Sequence, residues 1–360
     1  MKTRKILALL AVASFCFFAS CNDDEVSPLT ADEAQMEITS ADDEFVAVKG
    51  EVFASTGMMA QEAVYDLGLP FGTPMKSSAR LNLNTMEPVI DVAQFADGKG
   101  GYGPDYLYFP FNENVGTWEY EEGVWTKVST SPADKVVVEF SFNGGVDNGT
   151  LTYYEYQTKP VPYTVKGEET YISQLKAKVD IEGQTNPVMT WVYTANRTLT
   201  GGTVKEVTTY GSVFTLTEQM IFNATLSGVI TVDYMFEVKK NGDVVYSKSF
   251  EITLEGMTKA KEGNYSANVT ARVKIFNVII NYKIFINQDT DTSNPGNFMT
   301  VTLKLTNGAK VADVIFEGPE NDPYFKFSDG TTVAVSELLS EDLFYELGEF
   351  MDSIMEYIFY

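Results

Sequence analysis

From residue 117 to about residue 333, apolar residues recur at every second position, the period of a half-buried β-strand. Positions 230 to 238 alternate in this way, and positions 246 to 254 repeat the alternation after Asn241-Gly242. Asn-Gly is the preferred pair for a two-residue hairpin turn, and Asn307-Gly308 separates two further alternating runs. Consecutive strands joined by tight turns predict an antiparallel up-and-down sheet over residues 117–333.

The segment 269–286 predicts one strand of about 18 residues, far longer than the usual strand. Its second half, KIFNVIINYKIFI, is apolar at successive positions, so both faces of this strand would be buried and each would need a cover. Because long strands twist, we expect the sheet to curve into a barrel, a half-barrel or a deep sandwich. The predicted fold class is therefore mainly β (α+β), with a large curved antiparallel sheet.

Helical periodicity flanks this region at both ends of the chain. Residues 42–65 and 336–358 carry apolar stripes at the 3.6-residue period, with Ser336 or Ser340 as a possible N-cap of the second helix. In that second helix Glu346 falls in the predicted polar stripe. Residues 66–116 are rich in Gly, Pro and aromatics and are predicted to be loops within the single β-rich domain 42–360. Residues 21–41 are acidic and are predicted to form a flexible tether.

The N-terminus has a basic start (Lys2, Arg4, Lys5) followed by an apolar run over residues 6–19, which predicts a secretory signal peptide over residues 1–20. The following Ala-Ser-Cys resembles a bacterial lipobox, which implies acylation of Cys21. Asn22, Asp23, Asp24 and Glu25 resemble the acidic export signal that sends Bacteroidota lipoproteins to the outer face of the outer membrane. An ordinary cleaved signal followed by a solvated acidic linker is the alternative.

Composition narrows the chemistry. If Cys16 leaves with the signal peptide and Cys21 carries lipid, the mature chain has no free thiol and no disulfide. Histidine is absent, which removes the usual zinc and copper ligand and all His-based nucleophile triads. The net charge of −24 disfavours nucleic acid as a partner and repels anionic lipid headgroups beyond close contact. We expect no cofactor; carboxylate chemistry, such as that of a glycosidase, is the enzymatic alternative.

Aromatic residues cluster between positions 102 and 125 and supply the candidate ligand contacts. Rings in loops can stack on sugars or line an apolar opening; they can equally cover the ends of the sheet. The candidates are Tyr102, Tyr106, Tyr108, Trp118 and Trp125. The tract GTWEYEEGVWTKVSTSPADKVVVEFSF, which contains Trp118 and Trp125, and the following NGTLTYYEY are similar to a pattern in uncharacterised lipoproteins of gut Bacteroidota, a resemblance that implies no activity.

Two further motifs are candidates for ion binding and modification. Asp289 and Asp291 lie in a run of oxygen ligands at alternate positions, as in a calcium loop, although a polar hairpin turn explains the same pattern. Asp352-Ser353-Ile354 resembles the Bacteroidota O-glycosylation tripeptide, which makes Ser353 the candidate acceptor.

Together these features predict a lipid-anchored lipoprotein on the cell exterior. We expect a non-catalytic protein that binds a hydrophobic or lipid-like ligand in the concave sheet. The alternatives are a glycan-binding lipoprotein working beside an outer-membrane transporter, and an assembly or adhesin component that associates through an unpaired edge strand.

Overall fold

Sixteen strands among the described residues form one continuous sheet. The computed structural model describes residues 26–69, 71, 107–121, 124–145, 148–165, 168–185, 187–225, 228–256 and 265–359. The strands are β1 (Gly116–Glu121), β2 (Val124–Ser129), β3 (Val136–Phe140), β4 (Gly149–Val165), β5 (Glu168–Ile181), β6 (Met189–Thr198), β7 (Gly201–Tyr210), β8 (Phe214–Ala224), β9 (Ile230–Lys240), β10 (Asp243–Glu255), β11 (Ser266–Ile275), β12 (Val278–Asn287), β13 (Met299–Leu305), β14 (Lys310–Glu317), β15 (Asp322–Lys326) and β16 (Thr332–Ala334).

Of five α-helices in the described chain, three precede these strands and two follow them. The helices are α1 (Ala31–Phe53), α2 (Thr56–Asp66), α3 (Phe111–Asn114), α4 (Val335–Leu338) and α5 (Glu341–Phe359). The predicted mainly β fold class with N-terminal and C-terminal helices is thus confirmed.

The sheet follows the chain. From β3 to β16 each strand pairs antiparallel with the next, and β1 pairs with both β2 and β3 at the other end. The β1–β3 pair is parallel, an exception to the predicted antiparallel order. Strands β16 and β2 form the two edges, so the sheet is single and open rather than a closed barrel or a two-sheet sandwich.

The predicted hairpin between β9 and β10 is confirmed. Asn241 and Gly242 have φ angles of 55° and 94°, the left-handed conformation that a two-residue hairpin turn with the correct twist requires. Gly308, with a φ of 93°, makes the corresponding turn between β13 and β14.

The single long strand predicted over 269–286 is wrong, because this segment is the hairpin β11–β12. Ile275 pairs with Val278 across a two-residue turn in which Phe276 has a φ of 52°. The turn, Phe276-Asn277, contains no glycine and therefore has no strong sequence signature. The hairpin buries one face only: Ile279 is half-buried and Phe285 is 49% exposed, so no second cover is needed.

The helices cover one side of the sheet, here called the inner face. Helix α1 packs on β10, β11 and β12, and α2 packs on β5, β6 and β7. Phe350 of α5 contacts the rings of Phe250 and Tyr282. Inner-face positions of the central strands are buried, while the alternate positions, the outer face, are half-buried or exposed.

The predicted tether and N-terminal helix both need correction. Helix α1 begins at Ala31, where Thr30 and Glu33 form a capping box that holds the first turn. Ala34, Ile38 and Ala41 are buried against the sheet, so residues 31–41 belong to the fold rather than to the tether. The helix predicted over 42–65 is divided, because Ser55 accepts a hydrogen bond from the amide of Met58 and starts α2.

The C-terminal helix is likewise divided, with α5 starting after Ser340. The Ser340 hydroxyl accepts a hydrogen bond from the amide of Leu343, which confirms Ser340 as the cap. The Ser340 amide and hydroxyl in turn donate to the carboxylate of Asp42 on α1, at 2.9 Å and 2.7 Å. This contact ties the two terminal helices together over the inner face.

Candidate functional site

A row of polar side chains crosses the inner face in the middle of the sheet. Tyr193 on β6 lies opposite Glu206 on β7, and Glu206 lies opposite Glu218 on β8. Glu218 in turn lies opposite Phe236 on β9, which lies opposite Lys248 on β10. Glu206, Glu218 and Lys248 lie at inward positions of their strands. Neighbouring inward positions hold buried apolar side chains, such as Leu216 and Phe250.

Lys248 is paired with a carboxylate from the C-terminal helix. Its ammonium lies 2.6 Å from Oε1 of Glu346, and the two side chains are only 3% and 1% exposed. The Tyr246 hydroxyl donates to the same oxygen at 3.1 Å, and burial raises the pKa of Tyr246 well above its usual value. The rings of Phe236 and Phe350 each approach the ammonium to 5.8 Å. Glu346 therefore belongs to the buried stripe of α5, and its predicted place in the polar stripe is wrong.

The carboxylate pair Glu206–Glu218 lies beside this ion pair. Trp191 Nε1 donates to Oε2 of Glu206 at 2.9 Å, and Glu206 is 8% exposed. Protein atoms enclose the Glu218 side chain on nearly every side, and a small fraction of its surface is exposed to solvent. Burial, and then the Glu206 carboxylate, raise the pKa of Glu218 to about 8, while Lys248 and a hydrogen bond with Tyr234 oppose the rise.

We call Glu206, Glu218, Lys248 and Glu346 the buried charge network. At neutral pH, a pKa of about 8 leaves Glu218 mostly protonated, because burial and the neighbouring Glu206 carboxylate disfavour its charged form. A neutral and an ionised carboxyl group facing each other are also the groups that an acid–base hydrolase uses. Here the sheet and helices enclose them, and their described contacts are with side chains of the fold, which favours a structural role.

Two cavities accompany the inner face. A gap between α1 and strands β8 to β10, lined by apolar side chains such as Phe45, Val52 and Leu216, measures about 20 Å³. This volume is that of about one water molecule, so a lipid does not fit there. An open groove of about 790 Å³ runs along the hairpin ends beside α1. Charged, amide and aromatic side chains share its lining, among them Glu44, Lys240, Asp243, Lys274, Phe276 and Asn277.

The predicted aromatic site is only partly within the described chain, because Tyr102 and Tyr106 lie outside it. Tyr108 is 87% exposed. Trp118 donates its indole N–H to the carbonyl of Asn114 and packs edge-on against Phe71. Trp125 donates to the carbonyl of Leu67 at 3.2 Å. Both indoles are half-buried and join the loops to the sheet edge, so they do not form a flat exposed platform for a sugar.

The other candidate residues have local partners. Asp291 accepts hydrogen bonds from the Ser293 amide and the Asn297 side chain, which holds the β12–β13 connection in a compact turn. Asp289 donates its amide to Asn287 in the same turn. Across the described ranges, no group of three or more Asp, Glu, His or Cys side chains is arranged to hold a metal ion. Ser353 is half-buried on α5, and its hydroxyl donates to the carbonyl of Glu349.

The predicted lipidation site, Cys21, and the export signal Asn22, Asp23, Asp24 and Glu25 lie outside the described residues. Within the described chain, no helix combines the length and the hydropathy that crossing a membrane requires. Comparison of the sequence with protein-family models, with curated proteins and with solved structures returned no match.

The buried charge network was not among the sites predicted from the sequence. A signal was present, because Glu206, Glu218 and Lys248 each interrupt an alternating run at an inward position. That signal shows a charge on the buried face but does not show which charges meet.

Proposed function

We propose that the protein is a lipid-anchored lipoprotein of the outer membrane, facing the cell exterior, that binds a ligand there without chemical turnover. The observation that carries the proposal is the N-terminal pattern, in which a basic start and an apolar run precede Cys21 and four polar or acidic residues. Acyl chains on one cysteine would provide a stable anchor when two or more are attached.

The start of the fold supports this arrangement. The Leu29 amide donates to the carbonyl of Lys310, and the Ser328 hydroxyl donates to the carbonyl of Leu29, so the chain is fixed to the sheet from residue 29 onward. Only eight residue steps separate Leu29 from Cys21. The folded domain would therefore be held close to the lipid rather than at the end of a long tether.

The lining of the groove at the hairpin ends favours a polar ligand, such as a small glycan, over the hydrophobic ligand that was expected in the concave sheet. Its volume is in the range of small-molecule sites, and its lining combines the ring of Phe276 with the charges of Lys240 and Asp243. The apolar gap under α1 holds about one water molecule. If the ligand is a glycan, the protein would work beside an outer-membrane transporter.

Metabolic labelling tests the anchor. We expect labelled palmitate to enter the wild-type protein, and protease added to intact cells to degrade it. The Cys21→Ala variant should carry no label and should leave the membrane fraction. Label in the Cys21→Ala protein, or an unlabelled wild type, would show that this cysteine is not the anchor.

Binding measurements test the groove. Lys240 lines the groove, whereas its neighbour Lys239 lies on the outer face and pairs with Glu237. Titration calorimetry with a panel of neutral and acidic oligosaccharides should therefore find a ligand whose affinity falls at least tenfold in Lys240→Gln and is unchanged in Lys239→Gln. Equal effects of the two substitutions would argue against the groove as the binding site.

A second candidate function, assembly through an edge strand, is favoured by β2. Among the described strands, β2 pairs with β1 alone, and Val124 and Val128, on this edge strand, are 62% and 48% exposed. An exposed edge with β-branched side chains can pair with another chain. Sizing of the lipid-free protein should show oligomers that Thr126→Pro disrupts; a monomer at high concentration would exclude this function.

A further inference from the structure

The outer face carries a basic patch in a strongly acidic protein. The chain has 50 acidic and 26 basic residues, yet the outward positions of β11, β12 and β13 include no Asp or Glu. They include four cations, which we call the basic patch: Arg272, Lys274, Lys283 and Lys304. Three of these, Arg272, Lys283 and Lys304, are exposed.

The register brings the four cations together. Lys304 and Lys274 flank Ile279 in one row across three strands, and Lys283 lies diagonal to Arg272 on the neighbouring strand. Adjacent strands are about 4.8 Å apart, so the four charges fall within an area of roughly 10 by 15 Å. Of the acids on the flanking strands, Asp313 of β14 is paired with Lys310 at 2.7 Å, and Glu251 borders the patch from β10.

Apolar side chains lie among these charges. Phe285 is 49% exposed and Ile279 is half-buried, and both point out of the same face as Lys283. Phe285 follows Lys283 by two positions on β12, and Ile279 lies between Lys274 and Lys304. Apolar side chains next to lysines, whose stems are themselves apolar, are the composition of a surface that rests on a lipid interface.

The proposed anchor would begin beside this patch. Lys310, whose carbonyl holds Leu29, lies opposite Lys304 in the β13–β14 pair. The eight residue steps from Cys21 to Leu29 span at most about 28 Å when fully extended. An acylated Cys21 would therefore keep the basic patch within about 30 Å of the membrane surface, a distance that the domain can close by rotating.

The geometry points to the outer face of β11–β13 as a membrane-docking surface that lies on anionic lipid headgroups. This inference rests on the proposed lipid anchor. An acyl attachment at one point leaves the domain free to rotate, and the patch would supply the second contact that sets its orientation. Anchor and patch would act as two signals, one hydrophobic and one electrostatic. Each cation close to an anionic surface strengthens the association about fivefold, and salt screens this contribution. The helical side and the strands far from the patch would then face away from the membrane.

Site-directed fluorescent labelling tests the orientation of the domain. In the mature protein the remaining cysteine, Cys21, would be acylated, so a thiol-reactive dye would label only an introduced cysteine. Three single variants of the lipidated protein would be labelled: Thr270→Cys within the patch, Thr194→Cys on the outer face of β6, and Val46→Cys on the exposed side of α1. Strand β6 lies about 24 Å from β11 along the sheet. Each protein would be reconstituted into vesicles of neutral lipid or of neutral lipid with 30% anionic lipid, both containing a lipid-borne quencher.

We expect the dye at Thr270→Cys to be quenched in the anionic vesicles at least fivefold more than the dyes at Thr194→Cys and Val46→Cys. Adding Lys283→Glu and Lys304→Glu, or raising the salt to 0.5 M, should remove most of this quenching. The protein should still float with the vesicles under both conditions, because acyl insertion does not depend on salt. The matched control is Lys176→Glu with Lys178→Glu on the outer face of β5, which should leave the quenching unchanged.

Equal quenching at the three positions, or quenching that ignores both the charge reversal and the anionic lipid, would overturn the docking surface while leaving the anchor in place. Stronger quenching at Val46→Cys would show that the helical side faces the membrane, which also overturns it. Protein that does not float with either type of vesicle would refute the anchor itself, and the inference with it. Circular dichroism of each variant separates these outcomes from misfolding.

Discussion

The buried pair of Lys248 and Glu346 makes the sharpest prediction about stability. The two side chains come from positions 98 residues apart and meet at 2.6 Å between β10 and α5. Replacing Lys248 with Met keeps the length of the side chain and its contacts with the flanking rings but removes the charge. Glu346 would then be an ionised carboxylate almost without exposure, with the Tyr246 hydroxyl as its remaining donor.

The expected cost follows from this burial. Breaking a buried ion pair by removing one partner costs about 3–5 kcal/mol, because the remaining charge is desolvated and uncompensated. At about 2.1 cal/mol/K of unfolding entropy per residue, the roughly 280 described residues convert about 4 kcal/mol into a fall in Tm of about 7 °C. Glu346→Gln should cost less than Lys248→Met, because the Gln oxygen can still accept hydrogen bonds from Tyr246 and Lys248. The double variant should lose less stability than the sum of the two single variants.

Urea unfolding followed by circular dichroism measures these differences. The control is Lys310→Met, which breaks the ion pair with Asp313 at 2.7 Å, where the side chains are 43% and 38% exposed. A surface pair of this kind contributes about 0–1 kcal/mol. If Lys248→Met destabilises no more than Lys310→Met, or if the single effects simply add, the charges at Lys248 and Glu346 do not interact as the structure indicates.

Three further substitutions have defined outcomes. In the folded protein the pKa of Glu218 is about 8, against an ordinary value of 4.5. The protonated Glu218 therefore stabilises the fold fully below about pH 4.5, and this stabilisation is lost as the pH rises through 8. In Glu218→Gln, the urea concentration at the unfolding midpoint should depend less on pH across this range. Asp42→Ala should cost about 1–3 kcal/mol in urea unfolding, because it leaves the amide and hydroxyl of Ser340 without their acceptor. Gly57→Ala should lower Tm by several degrees, because its Cβ would press against the carbonyl of Val188.

Each of these has a result that contradicts it. Unchanged pH dependence in Glu218→Gln, compared with Glu237→Gln on the outer face, would show that another group titrates. A neutral Asp42→Ala would mean that the helix contact is replaced by water. A Gly57→Ala protein as stable as wild type would mean that α2 can move off β6 at little cost.

The alternation of apolar residues was sufficient to predict the sheet, its start and end and two of its hairpins. Asn241-Gly242 and Asn307-Gly308 were identified because a turn with positive φ has a clear residue preference. The β11–β12 turn at Phe276 was missed, because its residues carry no such preference and the alternation continues across it. The start of α1 was also missed, although Thr30 and Glu33 form a capping box, because the acidic residues around it were interpreted as a tether.

By itself, the sequence determined the β class and which face of the sheet most strand residues lie on, and its N-terminal pattern predicts a lipid anchor. These properties are local, because they depend on periods of two or 3.6 residues and on single turns. Only the tertiary structure decided that Glu206 faces Glu218, that Glu346 reaches Lys248, and that four cations on three strands form one patch beside the start of the fold. Such contacts depend on strand register and helix packing between residues far apart in the chain, which no local pattern encodes.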